Sequence, residues 1–162
     1  PQDMKPSIAI AVSMVAAPAT AGTVTVTIPR INVAEYHVPY VAVWIEPKTG
    51  GPARTLALWY DVDKRGAEPG TKWLADLRTW WRKGGRSLNL PADGISGATR
   101  APGAHRIAIP ASVKPGSYTL FVEAAREDGG RELISLTLDI PTRTAAKASG
   151  KTELGAVALS PR

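Results

Sequence analysis

Cysteine is absent from the chain of 162 residues. Disulfides, thiolate metal sites, C-x-x-C-H haem attachment and cysteine nucleophiles are thereby excluded. Histidine is scarce: His37 and His105 are the 2 in the chain. A zinc or copper site would need several carboxylate ligands, so a metalloenzyme is disfavoured. Long hydrophobic runs are also missing. The apolar stretch near the start is short and broken by Pro18, which argues against a stable membrane span. The net charge is +6, with Lys72, Arg78, Arg82, Lys83, Arg86 and Arg100 crowded against Asp76 and Asp93. No helix-turn-helix, RNP-like or zinc pattern accompanies that charge, so nucleic acid is not the expected partner. Ser96 sits in no Gly-x-Ser-x-Gly elbow, and no strand is expected to end directly before it, as such a nucleophile requires.

What is present fits one domain with a core, since 44% of the residues are hydrophobic. Residues 1–21 carry the grammar of a secretory signal peptide: a lysine, a short apolar stretch and an Ala19-Thr20-Ala21 end before Gly22. The expectation is an exported, periplasmic protein whose folded domain is 22–162. The alternative for the same stretch is a first strand, Ser7 to Val15. From Thr23 to Ile28, β-branched residues alternate with period two, the sign of a half-buried strand. Tyr40-Val-Ala-Val-Trp-Ile-Glu46 and Thr55 to Tyr60 form a predicted hairpin around Gly50-Gly51. His105–Ile109, Ser117–Ala124, Leu133–Ile140 and Gly155–Leu159 read as further strands, with a mobile polar loop expected over 142–152.

Between Thr71 and Lys83 the period changes. Trp73, Leu77, Trp80 and Trp81 recur at helical spacing with Leu74 beside them, Thr71 placed to cap and Gly84-Gly85 to stop the helix. The expected architecture is mainly β: an immunoglobulin-like antiparallel β-sandwich with one inserted Trp-rich helix. Those indoles either plug one end of the sandwich or, on a sharper reading, wall a bound ring system. Glu123, Arg126, Glu127 and Asp128 form a charge run near a predicted turn, most simply a solvated hairpin end.

Directly after the helix comes Asp93-Gly94-Ile95-Ser96-Gly97-Ala98-Thr99-Arg100. Its glycines let the backbone turn sharply and be approached closely, Ser96 and Thr99 offer hydroxyls, and Arg100 a planar cation. From its residues alone this run is a structural loop with side-chain to backbone bonds, or an anion-binding nest. It also resembles the acceptor motif of covalently flavinylated proteins, Asp-Gly-x-Ser-Gly-Ala-Thr. That resemblance implies an FMN joined through its phosphate to Thr99 by an FMN transferase, with Asp93, Ser96, Gly97, Ala98 and Arg100 around it and Trp80 or Trp81 against the flavin ring.

Over most of the mature chain the pattern resembles a family of predicted periplasmic bacterial proteins. The residues carrying this likeness are Tyr40–Glu46, Lys72-Trp73-Leu74 with Trp80-Trp81, Asp93–Arg100 with Pro102-Gly103, Tyr118–Arg126 and Glu153–Val157. The resemblance implies association with PepSY-domain membrane proteins and FMN transferases, and hence a carrier in extracytosolic flavin-based electron transfer rather than an enzyme. A reading from another class stands beside it: a cofactor-free Ig-like binding or scaffold module that recognises a protein by an edge strand or the basic helix.

Overall fold

The computed structural model describes residues 11, 13 and 20–162. Both readings of the first residues, signal peptide and strand, fall almost wholly outside that range. The first strand, β1 (Thr20–Ile28), takes in Thr20 and Ala21 ahead of the expected boundary at Gly22. The chain then forms β2 (Tyr40–Pro47), β3 (Arg54–Trp59), a helical segment, β4 (Ser96–Gly97), β5 (Gly103–Pro110), β6 (Gly116–Ala125), β7 (Arg131–Ile140), β8 (Ala146–Ser149) and β9 (Ala156–Ser160). These make two sheets, ordered β5-β1-β9-β8 and β4-β3-β2-β6-β7. The mainly-β sandwich expected from the alternating runs is the fold.

Alternation sets the two faces of each strand. Val24, Val26 and Ile28 of β1 meet Val41, Val43 and Ile45 of β2, with Leu120, Val122, Leu138, Val157 and Leu159, in the core between the sheets. The opposite face of β2 and β3 is apolar too: Tyr40, Ala42, Trp44, Leu58 and Tyr60 gather into a second cluster with Leu74, Leu77 and Trp80. A sheet with two apolar faces must be covered on both, and the helical segment supplies the outer cover. The tryptophans therefore lie over a face of the sandwich, not at its end.

The single helix expected over 71–83 is in fact two pieces, a 3₁₀ stretch (Gly70–Asp76) and α1 (Arg78–Arg82), with a break at Leu77 where ψ is 70°. The reason lies in the spacing of the buried side chains. Leu74, Leu77 and Trp80 are the ones that reach the sheet, and a spacing of three suits 3₁₀ turns better than a 3.6-residue helix. Trp73 falls on the far side, 44% exposed, under the Lys72 ammonium at 4.7 Å from its ring. No side chain caps the start, whereas Gly84 ends α1 at a φ of 126°.

Two further corrections concern the polar segments. The loop expected over 142–152 contains β8, which pairs with β9 through small and polar residues whose side chains give little strand signal. The charge run divides: Glu127 and Asp128 are exposed at the hairpin end, as expected, but Glu123 is fully buried and Arg126 is buried in an ion pair with Glu153 at 2.8 Å.

Candidate functional site

One end of the five-stranded sheet gathers the start of β2, the end of β3, β4 and the end of β6, through the pairings of Val41 with Trp59, Tyr40 with Ala125 and Trp59 with Gly97. The glycine motif is built into that end. Its first half is a turn: Ile95 N–H and Ser96 N–H both donate to Ala92 O, at 3.2 and 2.9 Å. Gly94 sits in it at a φ of 72°, a conformation that glycine adopts without steric cost. The Ser96 hydroxyl closes the turn by accepting from Ala92 N–H at 2.9 Å. Asp93 lies exposed at the tip.

The second half is pinned as a strand. β4 runs parallel to β3, the parallel pair in an otherwise antiparallel sheet, with Leu58 N–H donating to Ile95 O at 2.9 Å and Tyr60 N–H to Gly97 O at 3.0 Å. Arg100 folds back over this strand. It donates to Ala98 O, and its guanidinium lies 4.9 Å from the Trp59 ring centroid. A Cβ on Gly97 would come within 3.2 Å of that guanidinium, so the absent side chain lets Arg100 lie flat. His105 meets the same indole edge-on at 5.7 Å and bonds Ala101 O at 2.7 Å.

Ala98 and Thr99 leave this packed strand and line an open cleft of about 340 Å³ with Tyr60, Asp61, Val62, Asp63 and Lys64. Among the described residues the Thr99 hydroxyl has no hydrogen-bond partner, in contrast to Ser96. Next to Asp61 of the cleft, the Tyr40 hydroxyl donates to Gly70 O at 2.8 Å and lies 3.4 Å from Asp61 Oδ2. Burial pushes the Tyr40 phenol up to about 12, more than the backbone of Asp61 lowers it, so the phenol stays a donor throughout the neutral range.

The structure thus brings Thr99, Ala98, Gly97, Ser96, Asp93 and Arg100 together and leaves the indoles elsewhere. Trp80 is 1% exposed, donates from Nε1 to Thr55 Oγ1 at 3.0 Å and borders a separate hollow with Ile95, Lys83 and Gly85. Trp81 packs beside it, ring centroids 6.3 Å apart. Tyr60 is the aromatic residue lining the Thr99 cleft. The basic residues Lys72, Arg78, Arg82 and Lys83 ride on or directly after the helical cover and do not line this cleft. At the cleft, Lys64 shares the lining with Asp61 and Asp63. The segment from Asp61 to Lys64 was not singled out by the sequence. Its one signal was a polar, charged run directly after a strand.

Comparison with protein families finds that residues 21–156 match the family described as "Predicted periplasmic protein (DUF2271)". Neither curated proteins nor solved structures give a match. Among the described residues no helix is long and apolar enough to cross a membrane.

Proposed function

The chain belongs to the DUF2271 family of predicted periplasmic proteins, and from that premise we propose that it is a periplasmic electron carrier bearing FMN on Thr99. The observation that carries the reading is the contrast between the two motif hydroxyls. Ser96 is spent on closing its turn at 2.9 Å from Ala92 N, while Thr99 borders an open cleft of about 340 Å³.

In forming the phosphoester from a flavin adenine dinucleotide donor, Thr99 Oγ1 would lose its proton and bond to the flavin-side phosphorus while the pyrophosphate P–O bond breaks and AMP leaves, so the chain gains one FMN less one water. The linkage keeps a negative charge, and the Lys64 ammonium is the cation at the cleft to offset it. Arg100, bonded to Ala98 O and stacked on Trp59, holds the chain on either side of Thr99. When bound, the flavin supplies the redox chemistry, and the protein's part is attachment and orientation. Asp61 and Asp63 disfavour extra negative charge near the cleft. An FMN transferase and a PepSY-domain membrane protein are the partners this role calls for.

Intact-mass measurement of the exported chain, made with and without an active FMN transferase, tests the reading. The expected result is a gain of one FMN less water that Thr99→Ser retains and Thr99→Ala abolishes. An unmodified mass, while the same transferase modifies a control acceptor, would overturn it. The motif would then be a structural loop, and a cofactor-free binding module would be the better account.

A further inference from the structure

The helical cover turns its apolar side chains inward and its charge outward. Leu74, Leu77 and Trp80 are seated on the sheet, so the residues between them make the outer surface of the layer. Lys72, Arg78, Arg82, Lys83 and Arg86 are all exposed there, and Asp76 is the one carboxylate within residues 70–87. Lys72 is paired with Glu68 at 2.7 Å and Lys83 with Glu46 at 3.2 Å. Among the described residues Arg78, Arg82 and Arg86 form no ion pair.

The second observation is apolar. Trp73 stands on the same outer surface, 44% exposed, with the Lys72 ammonium over its ring. Trp44, Trp59, Trp80 and Trp81 are all buried or half-buried, so this one indole is set apart from the core. Guanidiniums bind phosphate oxygens in bidentate fashion. An indole, apolar with one polar N–H, suits the level where lipid headgroups meet hydrocarbon. Free arginines beside an exposed tryptophan therefore match a phospholipid surface, with phosphates outside and an apolar interior just beneath. A periplasmic protein is confined between two membranes, so such a surface is at hand.

We propose that the outer surface of the helical cover, Trp73 with Arg78, Arg82 and Arg86, docks the protein reversibly on an anionic phospholipid membrane. Each arginine near such a surface strengthens binding by about fivefold, and salt screens the attraction. The helix α1 has 5 residues, far shorter than the amphipathic helices that embed along an interface. Contact is therefore peripheral, with guanidiniums on phosphates and one indole among the headgroups. None of these four residues lines the Thr99 cleft, so docking does not depend on FMN attachment.

Co-sedimentation of the exported chain with vesicles of phosphatidylglycerol and phosphatidylcholine in equal parts tests the proposal, beside vesicles of phosphatidylcholine alone. Binding to the anionic vesicles alone is expected, and it should fall as salt is raised. Arg78→Gln, Arg82→Gln and Arg86→Gln combined should weaken it about a hundredfold, and Trp73→Ala several-fold. A control that removes exposed cations elsewhere, Arg106→Gln with Lys114→Gln and Lys147→Gln, should leave binding nearly unchanged. Far-UV circular dichroism checks folding, and Arg82→Gln alone, expected to weaken binding about fivefold, decides the matter should the combined variant not fold. Equal binding to both vesicles, binding to neither, or an equal loss in the control would overturn the proposal. Tighter binding to poly-glutamate than to the anionic vesicles would overturn it in favour of an acidic protein partner.

Discussion

Gly70 shows how a single position can be critical for a reason its sequence context does not give. Pro69-Gly70 reads as a turn, as Gly50-Gly51 does, yet its φ is not in the left-handed region. A Cβ there would run into the Asp61 carbonyl, because the start of the 3₁₀ stretch packs directly on the chain leaving β3. Tyr40 adds a bond to Gly70 O at 2.8 Å. Gly70→Ala should therefore destabilise the protein by about 1–3 kcal/mol through overpacking, read by urea denaturation, and should disturb the cleft that Asp61 lines. A stability within about 0.5 kcal/mol of the parent would mean that the contact relaxes freely. Thr99 is the opposite case. Its motif stands out in the sequence, but only the fold separates its free hydroxyl from the engaged one of Ser96.

At the scale of elements, the helical cover depends on a carboxylate from the sheet. Glu123 projects from β6 and accepts from Thr79 N–H at 3.2 Å and Trp80 N–H at 2.9 Å, in the first turn of α1, and from Arg131. Backbone N–H groups at a helix start lack partners within the helix, and with no side chain of its own at the cap, α1 takes its cap from another element. Glu123→Ala should cost about 2–4 kcal/mol, from charge-assisted bonds lost and N–H groups left dry. Arg131, 37% exposed at the side chain, can turn to water and keeps the loss from being larger. Glu123→Gln should lose less. Chemical denaturation gives both values, and near-UV circular dichroism reports whether Trp80 leaves its seat; a Glu123→Ala protein as stable as the parent would refute the capping role. The sequence reads Glu123 as part of a solvated charge run, because nothing in it says that a helix from 43 residues away covers that face of β6.

For the whole molecule, the coupling of the two sheets runs partly through Glu132 of β7. Its carboxylate accepts from the backbone N–H groups of Lys151, Thr152, Glu153 and Leu154, leading into β9 of the other sheet. Burial raises its pKa, but these four donors outweigh burial and hold it below the ordinary glutamate value. A group with a depressed folded pKa stabilises the protein above its unfolded pKa, and that stability is lost as pH falls through the folded value. Glu132→Gln should thus lower stability at pH 7 and flatten its fall below about pH 4.5, measured as the melting temperature against pH. Parallel profiles for parent and variant would show that Glu132 does not link protonation to folding. What the sequence determined alone was local and periodic: the alternating strands, the glycine turns, the absence of thiol chemistry and the position of the hydroxyl motif. Each follows from backbone sterics and residue chemistry within a few neighbours. The tertiary structure decided which faces are buried, because burial depends on what the chain brings back from far away. It broke the expected helix to seat Leu74, Leu77 and Trp80 on the sheet, left Trp80 and Trp81 out of the lining of the Thr99 cleft, and set His37 among acids from another turn.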